Sequence, residues 1–216
     1  MLRMKQTQVA TPVSARFSRI PGSPLAAIKV AGFSLVEVLV SIVVLSFGLL
    51  GMVGMQAASL QANREARLQS AATVLAREAA EMIRGNKNIG VLASSNPYVR
   101  TLSAGTATGT SSYCLAVAAS TACADTTEIA NAQMTEWLER VDAELPGARV
   151  SICVDTAPFD AGGLPQWACT AGVGGVLVVK IGWTKGSTNK SLTGSSALEQ
   201  ATIPTIVLPV TAGNTA

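Results

Sequence analysis

The stretch from Gly32 to Met55, GFSLVEVLVSIVVLSFGLLGMVGM, holds one ionisable side chain, the carboxylate of Glu37. An unpaired charge at the centre of a membrane helix costs on the order of 3 kcal/mol or more. The chemistry open to such a group is electrostatic: it can neutralise a cation supplied by something else. Other groups with chemical potential are Cys114, Cys123, Cys153 and Cys169, and the carboxylates Asp155 and Asp160 near the last two cysteines. The chain has no histidine, which removes Ser-His-Asp and Cys-His catalysis and every His-containing zinc site. There is no CxxC spacing to favour an all-cysteine zinc site, and nothing in the sequence pairs Asp155 or Asp160 with a base or a metal ligand. The two carboxylates therefore read as solvated loop residues. No catalytic residues, no metal site and no cofactor are expected, and the chain reads as non-enzymatic.

The element that positions Glu37 is a long helix. From Phe33 to Met55 there are 23 residues, which at 1.5 Å rise span about 34 Å, enough for a bilayer core of about 30 Å. A cleaved secretory signal has a shorter apolar region ending in an Ala-x-Ala-like site, and none follows here. The length and one-sided charge also disfavour a buried core helix of a soluble protein. Residues 1–32 carry Arg3, Lys5, Arg16, Arg19 and Lys29 with no acidic residue, leaving eleven basic and thirteen acidic groups after them, a net of −2. This asymmetry places residues 1–32 in the cytoplasm and the C-terminal part outside. It lends no support to nucleic-acid binding by the remainder.

From Gln56 to Arg84 there is no proline or glycine, and Ala, Leu, Glu and Arg dominate, all good helix formers. Leu68, Ala72, Leu75, Ala79, Met82 and Ile83 recur mostly at spacings of three and four, an apolar stripe that needs a partner. One helix is expected from Phe33 to Arg84, with a stop at Gly85-Asn86. Gly48, Gly51 and Gly54 serve either close helix packing or local softening of the helix.

Residues 86–110 read as a linker. Asp125 and Glu128 have capping-box spacing, and Ala130, Met134, Trp137, Leu138, Val141 and Leu145 mark the apolar face of a helix ended by Pro146-Gly147. Val150, Ile152 and Val154 alternate as a strand. In GVLVVKIGW, Leu177, Val179, Ile181 and Trp183 share one face, with Lys180 and Gly182 on the other. Pro204 and Pro209 demote ATIPTIVLPV to an edge strand. The fold class is α+β: a long N-terminal helix packed on a small antiparallel sheet, with one accessory helix. Four cysteines on the outer side point to disulfides and allow three pairings; the local pairs Cys114–Cys123 and Cys153–Cys169, each closing a short loop, are preferred.

A basic leader, then Gly32, then Phe33-Ser34-Leu35-Val36-Glu37, then a long apolar helix, resembles the signal of type IV prepilins and pseudopilins. The resemblance extends through GFSLVEVLVSIVVLSFGLLGMVGMQAASLQANREA, TEWLERVDAELPGARVSICVD and VLVVKIGWT to minor pilins of the type IV pilus modification protein PilV family, although the mid-helix proline of many major pilins is absent. It implies a pilin-like fold and a cut by prepilin peptidase between Gly32 and Phe33. It further implies N-methylation of Phe33 and a role for Glu37 in assembly. The implied divisions are a leader (1–32), a transmembrane and assembly helix (33–55), its amphipathic continuation (56–85) and a periplasmic disulfide-bearing domain (86–216). The implied function is that of a minor pilin, priming or capping a fibre. Its implied partners are other minor pilins, the major pilin, the inner membrane and the pilus assembly platform. A type II secretion pseudopilin shares this N-terminal chemistry, and a signal-anchored periplasmic enzyme or binding module is the alternative from another class.

Overall fold

The computed structural model describes residues 32–103, 105–187, 191, 193 and 197–213. Apart from Gly32, the expected leader lies outside the described residues. The chain divides into two compact units, Met1–Gly51 and Met52–Ala216. The first helix, α1 (Leu35–Gly85), begins in one and ends in the other.

In the first unit α1 starts where the Ser34 carbonyl accepts the amides of Glu37 and Val38 at 3.0 and 3.2 Å. Every described residue there is exposed.

In the second unit the stripe of α1 turns inward: Ala72, Leu75, Ala76, Ala79, Ala80 and Ile83 are buried. The four alanines add little bulk, so neighbouring elements can approach the helix closely. The helix α3 (Thr126–Glu144) lies against it, burying Ala130, Met134, Trp137, Leu138 and Val141, and Leu145 just beyond. The Trp137 indole Nε1–H donates to the Leu75 carbonyl of α1 at 3.0 Å, so this buried side chain leaves no polar atom unmet, whereas the indole N–H of the equally buried Trp183 has no partner among the described residues. At the start of α3, Asp125 accepts the Glu128 amide at 2.8 Å, while the Glu128 carboxylate reaches past the cap to the Ala124 amide at 2.6 Å. Pro146-Gly147 ends the helix. Gly147 has φ +57°, and a Cβ there would lie 2.1 Å from the Thr184 hydroxyl, so glycine is required twice over.

The stretch 86–110, expected as a linker, is folded. It contains a short helix α2 (Lys87–Gly90) and strands β1 (Arg100–Ser103) and β2 (Thr106–Ala107). Gly90 sits where a Cβ would come within 2.9 Å of Ile83, which lets α2 press against α1. Buried Asn96 donates to the Gly90 and Leu92 carbonyls and accepts the Tyr98 amide, supplying through a side chain the bonds that turn composition does not reveal.

The main sheet has the antiparallel order β2-β1-β3-β4-β7, with β3 (Arg149–Asp155), β4 (Val176–Gly182) and β7 (Ile206–Val210). A separate pair joins β5 (Lys185–Gly186) to β6 (Leu198–Glu199). Val150 pairs with Ile181 and Ile152 with Val179, and these four side chains join the core with the helices. β7 is an edge, with Pro209 opposite Val178, where its missing N–H removes no inner ladder bond. This is the α+β architecture of a long helix on a small antiparallel sheet.

The opposite face of β4 is also covered. Val178, Lys180 and Gly182 are all buried, and a Cβ at Gly182 would meet Trp167 and Ala201 at 2.9 Å. The loop after β3 folds back over this face, so both faces of this inner strand are dry.

Candidate functional site

Phe33 to Met55 presents its whole circumference to the surroundings: Phe33 is 84% exposed, Leu35 80% and Leu50 70%. Among the described residues, α1 alone is long and apolar enough to cross a membrane. Its polar groups are matched to an apolar medium. The hydroxyls of Ser41 and Ser46 donate to the carbonyls of Glu37 and Ile42, each at 2.7 Å, so neither needs water. Gly48, Gly51 and Gly54 have open space where a Cβ would be, which leaves room for another helix to approach closely.

Glu37 is the exception. It lies in the first turn of α1, where the positive end of the helix dipole favours a carboxylate. No hydrogen bond or ion pair within the described residues engages its side-chain oxygens. With Phe33, Val38, Ser41, Ile42 and Leu45 it lines a shallow, mostly apolar groove. One acceptor is thus set in an apolar rim, four residues from Phe33.

The cysteines are joined as Cys114–Cys123 and Cys153–Cys169. Cys153, Asp155 and Cys169 cluster closely enough to suggest a metal site, but the two sulfurs are bonded to each other. Asp155 is committed elsewhere, and here the sequence reading needs correction. Asp155 is a fully buried side chain paired with the equally buried Lys180 at 2.6 Å. Lys180 Nζ donates further to the carbonyls of Gln166 at 2.8 Å and Ala168 at 2.6 Å; Asp155 Oδ1 accepts the amides of Ala157 and Thr170. Burial alone would raise the Asp155 pKa, but the Lys180 ammonium and the two amides outweigh it and hold the carboxyl below its ordinary value. The pair pins the 153–169 disulfide loop over the sheet. Asp160 is exposed, as expected, and its carboxylate caps a turn by accepting the amides of Gly162 and Leu164.

Sequence reading passed over Arg100. Its buried guanidinium is held by the carbonyls of Pro97, Thr108 and Thr110 at 2.8 Å and by the Asn131 amide oxygen at 2.5 Å, with no carboxylate among these partners. Burial lowers its pKa. Nearby, the Tyr113 hydroxyl donates to Glu139 at 2.9 Å. No spacing motif in residues 86–124 announces either contact, because each links residues far apart in sequence, Arg100 to Asn131 and Tyr113 to Glu139.

Residues 28–53 match the family of the prokaryotic N-terminal methylation motif. The matched segment contains Gly32, Phe33 and Glu37 and supports a place for the chain among type IV pilins and the related pseudopilins. No curated protein and no solved structure matches the chain.

Proposed function

We propose that the chain is a minor pilin of the type IV pilus, of the PilV type, that primes or caps the fibre. Prepilin peptidase cuts between Gly32 and Phe33 on the cytoplasmic side, and Phe33 becomes the N-methylated first residue. Residues 33–55 then hold the subunit in the inner membrane as a single pass, with residues 86–216 in the periplasm, until the assembly platform extracts it into the fibre among other minor pilins and the major pilin.

The observation that carries this reading is the exposed apolar helix from Phe33 to Met55 with Glu37 as its lone charge. A fully exposed apolar surface of this length is incompatible with water and needs lipid or neighbouring helices around it. Both are supplied in turn by a bilayer and by the helical core of a fibre. Cleavage after Gly32 removes the five leader cations and creates one new cation, the amine of Phe33. In a staggered bundle that amine meets the Glu37 of a neighbouring subunit, an attraction that grows as the dielectric falls.

The mass of the N-terminal peptide of the membrane-extracted protein, expressed with and without a prepilin peptidase, tests the reading. The expected peptide begins at methylated Phe33 only when the peptidase is present. An intact leader under both conditions would favour a simple signal anchor and overturn the proposal.

A further inference from the structure

The charged residues of the second unit separate by helix once their internal partners are counted. On α1 beyond Gln56, every acidic residue is paired: Glu65 with Lys185, Glu78 with Arg140 and Glu81 with Arg84. Arg64, Arg67 and Arg77 are exposed, and no hydrogen bond or ion pair within the described residues engages them. On α3 the balance is reversed. Arg140, its single cation, is taken by Glu78, while Glu136, Asp142 and Glu144 have no partner within the described residues and Glu139 holds only the Tyr113 hydroxyl. Beyond Gln56, the unpaired charges of α1 are thus all positive, and those of α3 are all negative. Val74, 61% exposed, stands on the outer face of α1 between Arg67 and Arg77, an apolar contact point inside the basic patch.

We infer that these two faces dock against each other between two copies of this chain, the basic α1 face of one on the acidic α3 face of the next. Two different patches on one rigid unit make a heterologous contact, which does not use itself up: each bound copy still offers both faces. Complementary potentials of this kind select partner and register. A polyanion such as nucleic acid or an anionic membrane is the poorer occupant, because the same unit carries the acidic α3 face and residues 33–216 are net negative. The inference rests on the subunit reading above for its setting, while its chemistry resides wholly in the second unit.

The test uses the full chain in membranes. Two differently tagged copies are co-expressed, one carrying the photo-reactive substitution Ser70→benzoylphenylalanine between Arg67 and Arg77. The expected product joins the two tags, with the crosslink mapped to the α3 peptide of the other copy. Arg67→Glu with Arg77→Glu in the photo-reactive copy should lower the yield roughly tenfold, taking each exposed ion pair as a factor of about two to five. Glu139→Lys with Asp142→Lys in the other copy should restore it. Intact disulfides on non-reducing gels verify that the variants fold, and in membranes prepared from wild-type cells the yield should fall with added salt. Absence of the mixed-tag product, a crosslink to another protein, or a yield indifferent to charge reversal and salt each overturns the inference. The N-terminal mass, read from the same sample, reports separately on the subunit reading.

Discussion

Lys180 Nζ and Asp155 Oδ2 stand 2.6 Å apart with neither side chain exposed to solvent, between the sheet and the loop closed by Cys153–Cys169. Lys180 Nζ has two further carbonyl partners and the other carboxylate oxygen, Asp155 Oδ1, accepts two amides, so burial is compensated on both sides. Lys180→Met strips the carboxylate of its counter-ion and should cost about 3–5 kcal/mol in denaturant unfolding, the range for breaking a buried pair from one side. The pH dependence has a definite sign. Because the folded-state pKa of Asp155 is depressed, its contribution is complete above the ordinary value of 3.8 and is lost as pH falls through the lower folded value. Unfolding profiles below pH 3.8 should therefore be shallower in Asp155→Asn than in the parent protein. Identical acid limbs would remove the pair from the acid response.

Trp137 joins two layers by its ring and by its Nε1–H bond to the Leu75 carbonyl. Trp137→Ala removes the largest buried side chain of α3 and should destabilise the second unit by about 3–5 kcal/mol. Trp137→Phe keeps most of the ring volume but leaves the carbonyl without its indole donor, and should cost less. Equal losses from the two variants in a denaturant titration would show that volume contributes nothing beyond the hydrogen bond.

Tyr113 and Glu139 form an exposed contact whose signature is spectroscopic. The hydrogen bond to Glu139, together with the carboxylate's charge, raises the phenol pKa above its ordinary 10.0, because ionisation would break the bond and set two negative charges together. In Glu139→Gln the ultraviolet phenolate signal of Tyr113 should emerge at lower pH than in the parent. Tyr113→Phe identifies which of the two tyrosines carries the shift.

The architecture was legible wherever it depended on periodicity. The stripe from Leu68 to Ile83, the apolar face of α3 and the alternation of β3 and β4 occupy the core as their spacing requires. Pro209 reports an edge for the same elementary reason, a missing donor. What sequence spacing could not show were contacts made by irregular backbone. Nothing near Asn96 or Arg100 has a period, and most of their partners are main-chain carbonyls, which every residue type carries. Alternation puts Lys180 on the strand face opposite Val179 and Ile181, yet that face is dry because a loop returns over it with Trp167. Alternation within β4 says nothing of what a segment beyond the strand will cover. Glu37, by contrast, stands out from the composition of its surroundings alone.

Glu37 and Gly32 separate two steps that a single loss-of-function variant would merge. Gly32 precedes the proposed cut, so Gly32→Ala should block processing and leave the mature N-terminal mass undetected. Glu37 lies in the first turn of the helix, and its carboxylate has no partner within the described residues, so Glu37→Ala should fold and be cleaved largely as before. Its effect belongs to assembly, where the amine of a neighbouring Phe33 would enter low dielectric without a counter-ion. That penalty falls on the joined state and not on the isolated subunit. Glu37→Ala should therefore accumulate in the membrane as mature protein and be depleted from sheared fibres. Glu37→Gln, which keeps the shape and loses the charge, should behave the same way; normal incorporation of the glutamine variant would show that the groove recognises shape and that the charge has another purpose.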